Sequence, residues 1–135
     1  MAQSKWSQRV WANLPVKSTE KTRAFYQALG FKLNKGYDGG DTLASIVVGK
    51  DGFVIHFFAE KHFKKAVGGK VSNAKNGAEI IFTFGVATKK EVDKWADKVV
   101  KAGGKIFQKP AEIEGGLYTF GFMDMDGHRW NILAM

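Results

Sequence analysis

The chain has 135 residues, a length that suits one domain able to bury its own core. It contains no cysteine, which excludes disulfides, thiolate metal ligands and a cysteine nucleophile. No stretch approaches the roughly 18 apolar residues that a membrane-spanning helix needs, and no apolar segment follows the polar residues Met1–Val10 to form a signal peptide. We therefore expect a cytoplasmic protein with no membrane partner.

The charge balance favours anionic partners, because the formal net charge is +8 and the isoelectric point is about 9.7. The lysines are densest in Lys61–Lys75, which we interpret as a basic, glycine-containing loop. This segment holds a single aromatic residue, Phe63, whereas a surface that stacks successive nucleic-acid bases uses several aromatic side chains. Nucleic acid is therefore only an alternative partner, and many of the lysines are also explained as a solvated surface.

The first half of the chain is predicted to alternate one helix with several strands. Ser18 suits a helix N-cap, Thr19–Leu29 has the apolar spacing of a helix, and Gly30 ends it. Asp38-Gly39-Gly40-Asp41 and Asp51-Gly52 are turn sequences. The predicted strands, which have apolar or β-branched character, are Val10–Val16, Phe31–Tyr37, Leu43–Gly49 and Phe53–Ala59.

The second half follows the same plan. Thr88 and Glu91 form a capping-box pattern, and an apolar helical face then runs from Val92 to Ala102 before Gly103-Gly104. The predicted strands are Glu79–Val86, Lys105–Gln108, Leu117–Met123 and His128–Ala134, with Asp126-Gly127 turning into the last one.

The two halves form an internal repeat. Val16 and Val86 end the first strands, and Ser18 and Thr88 cap the helices, with each pair 70 residues apart. Each half is a βαβββ module, at about residues 8–60 and 78–135 of one α+β domain that spans residues 1–135. One module leaves a face of its curved mixed sheet bare, so we expect two modules to pair, with helices on the outer faces and strands enclosing a cleft.

Equivalent positions in the two modules are predicted to face that cleft. His56 and Asn131 each lie five residues after the Asp-Gly turn of their module, while Trp11 and Ile81 each lie five residues before the end of a first strand. Because side chains alternate along a strand, these residues point away from neighbours that pack under the helices. Asn13 should share the face of Trp11, and Arg129 that of Asn131.

Two segments resemble a known family. Asn13–Ser18 followed by Phe25–Phe31 resembles the opening of glyoxalase/bleomycin-resistance/dioxygenase proteins, the vicinal-oxygen-chelate superfamily. Asp124–Trp130 (DMDGHRW) resembles their closing D-P-D-G-hydrophobic segment. The resemblance, extended by the repeat, covers nearly the whole chain and implies two βαβββ modules around a cleft, commonly in a homodimer. Whether the modules pair within one chain or across two chains stays open.

The resemblance also implies a metal site, and the sequence departs from it. The family's four ligands, typically His, Gln or Glu, fall on Trp11, His56, Ile81 and Asn131. Only His56 is a good ligand for a transition metal, and a single imidazole cannot hold one. We therefore expect no metal and no cofactor, and no metal-dependent glyoxalase, dioxygenase or fosfomycin-modifying chemistry.

The leading hypothesis is a metal-independent protein that binds a small neutral or acidic ligand in the cleft. Trp11, Asn13, His56, Arg129 and Asn131 are the predicted ligand-binding residues. His56 is also the candidate catalytic residue, as a general base, and its alternative is a half-buried histidine satisfied by a hydrogen bond to Asn131 or water. Trp11 is either a stacking wall or a plug in the emptied metal position.

Two alternatives to binding alone stay open. The first is a lyase, isomerase or dioxygenase that uses His56 as a base or a displaced metal held by His56 with Glu60 or Glu79. The second is association of nucleic acid with the basic loop Lys61–Lys75, which salt would weaken steeply.

Overall fold

A computed structural model describes residues 4–37 and 39–135 of the chain. Asp38, one residue of a predicted turn, and Met1–Gln3, the start of the polar N-terminal segment, lie outside the described residues. No helix in the described ranges is long and apolar enough to cross a membrane.

The first module has the predicted βαβββ order. Its elements are β1 (Ala12–Val16), α1 (Thr19–Ala28), β2 (Lys32–Leu33), β3 (Leu43–Val48) and β4 (Phe53–Ala59). The sheet order is β1-β4-β3-β2, with β1 parallel to β4 and the other pairs antiparallel. Helix α1 starts where the sequence predicts, because the Ser18 side chain accepts a hydrogen bond from the Lys21 backbone N–H.

The second module repeats this topology after an extra helix. Its elements are α2 (Glu60–Val67), β5 (Ile81–Val86), α3 (Lys89–Ala102), β6 (Lys105–Glu112), a 3₁₀ turn (Glu114–Gly116), β7 (Tyr118–Met123) and β8 (Arg129–Ala134). The sheet order is β5-β8-β7-β6, again with one parallel pair, β5 and β8. The α+β fold with two four-stranded mixed sheets is therefore confirmed.

One core serves both modules. Phe25 and Tyr26 of α1 and the C-cap residue Leu29 are buried together with Ile55 and Phe57 of the first sheet. The same cluster includes these residues of the second module: Val92, Ala96, Val99, Phe120, Phe122, Trp130 and Ile132. The helix-covered sides of both sheets therefore face a shared interior within one chain.

A buried polar group joins the modules. The Tyr26 hydroxyl donates to Asp124 Oδ2 at 2.7 Å and accepts from the Trp130 indole N–H at 3.1 Å. Burial raises the pKa of Asp124, while the neighbouring His128 and Tyr26 oppose that shift. The Asp124 carboxylate also accepts from the backbone N–H groups of Asp126 and His128, which fixes the turn before β8.

Three predicted segments differ from the structure, and one of them, the strand Lys105–Gln108, extends to Glu112 as β6. The predicted strand Phe31–Tyr37 is reduced to Lys32–Leu33, and turn residues follow it. The segment Lys61–Lys75, predicted as a loop, begins inside the helix α2, which Gly68 ends in a left-handed conformation. None of the α2 side chains is buried, so this helix had no core-facing periodicity for the sequence to reveal.

Candidate functional site

The first module carries its candidate residues on the sheet face that points away from the core. His56 of β4 pairs in register with Asn13 of β1 on one side and with Ser45 of β3 on the other. Its sequence neighbours Ile55 and Phe57 are fully buried in the core on the opposite face. The alternation predicted from the sequence is therefore present, and we name this surface the first-module face.

His56 is enclosed and hydrogen-bonded. Only 7% of its surface is exposed, and its Nδ1 lies 2.8 Å from the Ser45 hydroxyl oxygen. That oxygen also accepts from the Asn34 side-chain amide at 3.1 Å. Burial lowers the pKa of His56 below its ordinary 6.5, so the ring is neutral at neutral pH.

Aromatic rings surround His56. Their centroids lie 6.0 Å away for Trp11, 5.9 Å for Phe58 and 6.4 Å for Tyr37. Trp6 forms an outer layer, with edge contacts to Trp11 at 5.2 Å and to Tyr37 at 4.9 Å. On the first-module face, the chain's own aromatic side chains therefore cover His56.

The second module presents an open counterpart, the second-module face. Arg129 and Asn131 of β8 pair with Met123 and Gly121 of β7, opposite to their buried neighbours. The Arg129 guanidinium lies over the Phe107 ring at 4.9 Å. Among the described residues, neither Arg129 Nε nor Asn131 Oδ1 has a hydrogen-bond partner, although both atoms are buried.

The two faces lie on opposite sides of the shared core. The core-facing rings contact across the modules, as Tyr26 does with Trp130 at 5.9 Å and Phe57 with His128 at 6.3 Å. The chain therefore gathers Trp11, Asn13 and His56 on one side, and Arg129 and Asn131 on the other. The partner of His56 Nδ1 is Ser45, and the predicted hydrogen bond to Asn131 is absent because Asn131 lies in the other sheet.

Four residues that the sequence did not single out belong to the two faces. Trp6, Tyr37 and Ser45 belong to the first-module face, and Phe107 belongs to the second. Tyr37 lies in a predicted strand that is a turn here, so its position could not be inferred. Strand alternation could have predicted the position of Ser45, because β3 and β4 were both predicted and pair antiparallel.

The positions of the implied metal ligands carry an indole, an imidazole, an alkyl group and an amide. Trp11 and His56 lie together, whereas Ile81, 46% exposed, and Asn131 belong to the other sheet. Within residues 4–37 and 39–135, no group of three or more His, Cys, Asp or Glu side chains is arranged to hold a metal ion.

Comparison with known proteins identifies the family. The model of the Glyoxalase/Bleomycin resistance protein/Dioxygenase superfamily matches residues 8–132. The hypothetical protein SA1046 from S. aureus is 34% identical, with a TM-score of 0.83 over 95% of this chain and 94% of that one.

Two more distant structures share the fold alone. Lactoylglutathione lyase from Agrobacterium tumefaciens is 14% identical, with a TM-score of 0.68 over 96% of each chain. The fosfomycin resistance protein FosX from Listeria monocytogenes is 17% identical, with a TM-score of 0.68 over 96% of this chain and 91% of that one. A search of curated proteins found no match. On its matched length and its fold, the chain belongs to the Glyoxalase/Bleomycin resistance protein/Dioxygenase superfamily.

Proposed function

We propose that this protein binds a small neutral or acidic ligand, without a metal, in a cleft that two chains complete as a homodimer. The observation that carries the proposal is the placement of the two faces on opposite sides of one core. Because equivalent positions of the two modules cannot meet within one chain, the first-module face of one chain meets the second-module face of another.

The second-module face has the properties of a surface that needs a partner. Ile81 and Phe107 are 46% and 39% exposed, which leaves apolar side chains on an uncovered sheet. Buried polar atoms of Arg129 and Asn131 have no protein partner among the described residues, and such atoms normally find one. A ligand in the cleft supplies those hydrogen bonds, and the facing chain covers the apolar residues.

The charge of the site favours an acidic or neutral ligand. Arg129 offers guanidinium donors suited to a carboxylate or a phosphate. Asn131 offers both a donor and an acceptor for a polar group, and so does Asn13, which is exposed on β1. The net charge of +8 adds a long-range attraction for anions.

The family's metal does not fit the residues present. A transition metal needs nitrogen, sulfur or carboxylate ligands, and the four corresponding positions provide only His56. The Trp11 indole has no lone pair to give, and the Ile81 side chain has no donor atom. We therefore derive no chemical step through a metal at these positions.

Catalysis by His56 is the second candidate function, and one observation favours it. The ring is neutral at neutral pH because burial lowers its pKa, so it can accept a proton. Its Nδ1 is engaged by Ser45, which leaves Nε2 as the atom to act on a ligand. Such an enzyme would be a lyase or isomerase that moves a proton without a metal.

The test combines metal content with ligand binding. Elemental analysis of protein purified without chelator should find no stoichiometric zinc, nickel, manganese or iron. A panel of small aromatic and aliphatic carboxylates should include compounds that raise the Tm of the wild type. Arg129→Met should remove those shifts, while Val100→Ala on exposed α3 should keep them. A stoichiometric metal that raises the Tm would contradict the proposal.

A further inference from the structure

Trp6 is held on the first-module face by side-chain contacts and not by the core. It precedes β1, lies outside the core cluster and is half-buried. Its ring makes edge contacts with Trp11 at 5.2 Å and Tyr37 at 4.9 Å, and its indole N–H donates to the Tyr37 hydroxyl. A planar ring with a directed hydrogen bond is thus bound by an aromatic surface, as a ligand would be.

Trp6 contacts two of the three aromatic rings that surround His56. These two, Trp11 and Tyr37, have ring centroids 6.0 Å and 6.4 Å from that of the imidazole. Trp6 therefore packs against rings that restrict access to the His56 imidazole.

The segment that carries Trp6 is a short turn. Its backbone hydrogen bonds are local, from Ser7 N–H to Ser4 and from Arg9 N–H to Trp6. Gln8 has a φ of 62°, a left-handed value that side chains rarely adopt. Side-chain contacts of Trp6 and Lys5 hold this segment against Tyr37 and Trp11, so we expect the loss of the Trp6 ring to weaken its attachment to the face.

Cationic side chains surround the position of the indole. Lys5 Nζ lies 5.5 Å from the Trp6 ring and 5.4 Å from the Tyr37 ring, and the Arg9 guanidinium lies 5.9 Å from Trp6. Lys5 and Arg9 are exposed, so they are available to a negative group at the rim. A molecule in the place of Trp6 would have its ring among aromatic side chains and its edge among cations.

We propose that the Trp6 side chain occupies the position that the ligand takes when it binds. The ligand is a planar aromatic compound with a hydrogen-bond donor and an anionic substituent. The ligand displaces the Trp6 ring, donates to the Tyr37 hydroxyl and places its negative group near Lys5 and Arg9. This inference rests on the proposed binding function. It adds the chemical class of the ligand, and it identifies Trp6 as a side chain of the protein that competes with the ligand for the same position.

The first experiment measures access to His56 without any ligand. Diethyl pyrocarbonate modifies neutral imidazoles, and mass spectrometry resolves His56 from His62 and His128. Trp6→Ala should raise the modification rate of His56 about tenfold, because it removes two aromatic contacts and a hydrogen bond. Val10→Ala, at an 83% exposed position of the same segment, is the matched control and should leave the rate unchanged. His128, 7% exposed, reports that the fold is intact.

The second experiment uses indole-3-acetate and uncharged 3-methylindole as probes. Indole-3-acetate should bind Trp6→Ala about tenfold more tightly than the wild type, should slow the modification of His56, and should bind more tightly than 3-methylindole. An unchanged His56 rate in Trp6→Ala would overturn the inference, as would an accessible His56 that indole-3-acetate does not protect. The proposal of a two-chain cleft is tested separately. It is wrong if the wild type is a monomer or if Arg129→Met leaves ligand binding unchanged.

Discussion

The two modules share a strand order but differ in how they treat the sheet face that points away from the core. The first module covers its face with Trp6, Trp11 and Tyr37, and it satisfies His56 with Ser45. The second module leaves Arg129 Nε and Asn131 Oδ1 without partners among the described residues. The comparison shows that a repeated fold can carry one face whose buried histidine is hydrogen-bonded within the chain and one face whose buried polar atoms have no partner among the described residues.

The largest expected effect on stability comes from a substitution in the core that the two modules share. Trp130 is 1% exposed and contacts Tyr26, Phe31 and Phe122. Trp130→Ala should lower the free energy of unfolding by about 3–5 kcal/mol, because it opens a cavity between both modules. Urea denaturation should still show one transition for the wild type.

Val100→Ala provides the control for this prediction, since Val100 is 62% exposed. It should change stability by less than about 0.5 kcal/mol. Two separate transitions in the wild type would contradict the shared core.

A smaller effect should distinguish the two faces. Ser45→Ala removes a fully buried hydroxyl that is bonded to His56 and Asn34, and should cost about 1–3 kcal/mol of stability. Asn131→Ala at the second-module face should cost less than about 0.5 kcal/mol, because its amide oxygen has no hydrogen-bond partner to lose in the described part of the chain. Thermal and urea unfolding of both variants measure the difference, and equal costs would contradict the asymmetry.

The smallest effect concerns pH and the first-module face. Burial lowers the pKa of His56 below 6.5, so the unfolded chain binds more protons than the folded chain between the folded pKa and about pH 6.5. The stability of the wild type should therefore fall, relative to His56→Gln, as the pH drops through this window. Unfolding curves at a series of pH values measure this difference. A difference that does not vary with pH would mean that His56 is not desolvated.

The sequence predicted the fold because the repeat is strong at positions with a clear physical role. Ser18 and Thr88 cap helices as predicted, and the Asp51-Gly52 and Asp126-Gly127 turns lead into β4 and β8. The turn residue Asp124 accepts the backbone N–H groups that its motif implies. Local hydrogen bonds and alternation determined these features, and both can be read from short segments.

The candidate site was less predictable because it depends on long-range packing. Trp11 was expected as a stacking wall for a ligand or as a plug in the emptied metal position, and its 6.0 Å ring contact with His56 fits either role. Trp6 and Tyr37 contact each other across 31 residues, and no local pattern signals that pairing. His128 is only 7% exposed, and its Nε2 bonds to the Pro15 carbonyl, 113 residues away in the chain.

The central claim, a cleft formed by two chains, can be tested directly because the chain has no cysteine of its own. Asn13→Cys lies on the first-module face and Asn131→Cys on the second. We would mix the two single variants, treat the mixture with a short bis-maleimide, and weigh the products by mass spectrometry. The account predicts a crosslinked pair containing one chain of each variant, in higher yield than either variant gives alone. A protein that stays monomeric, or a double variant that crosslinks within one chain, would contradict it.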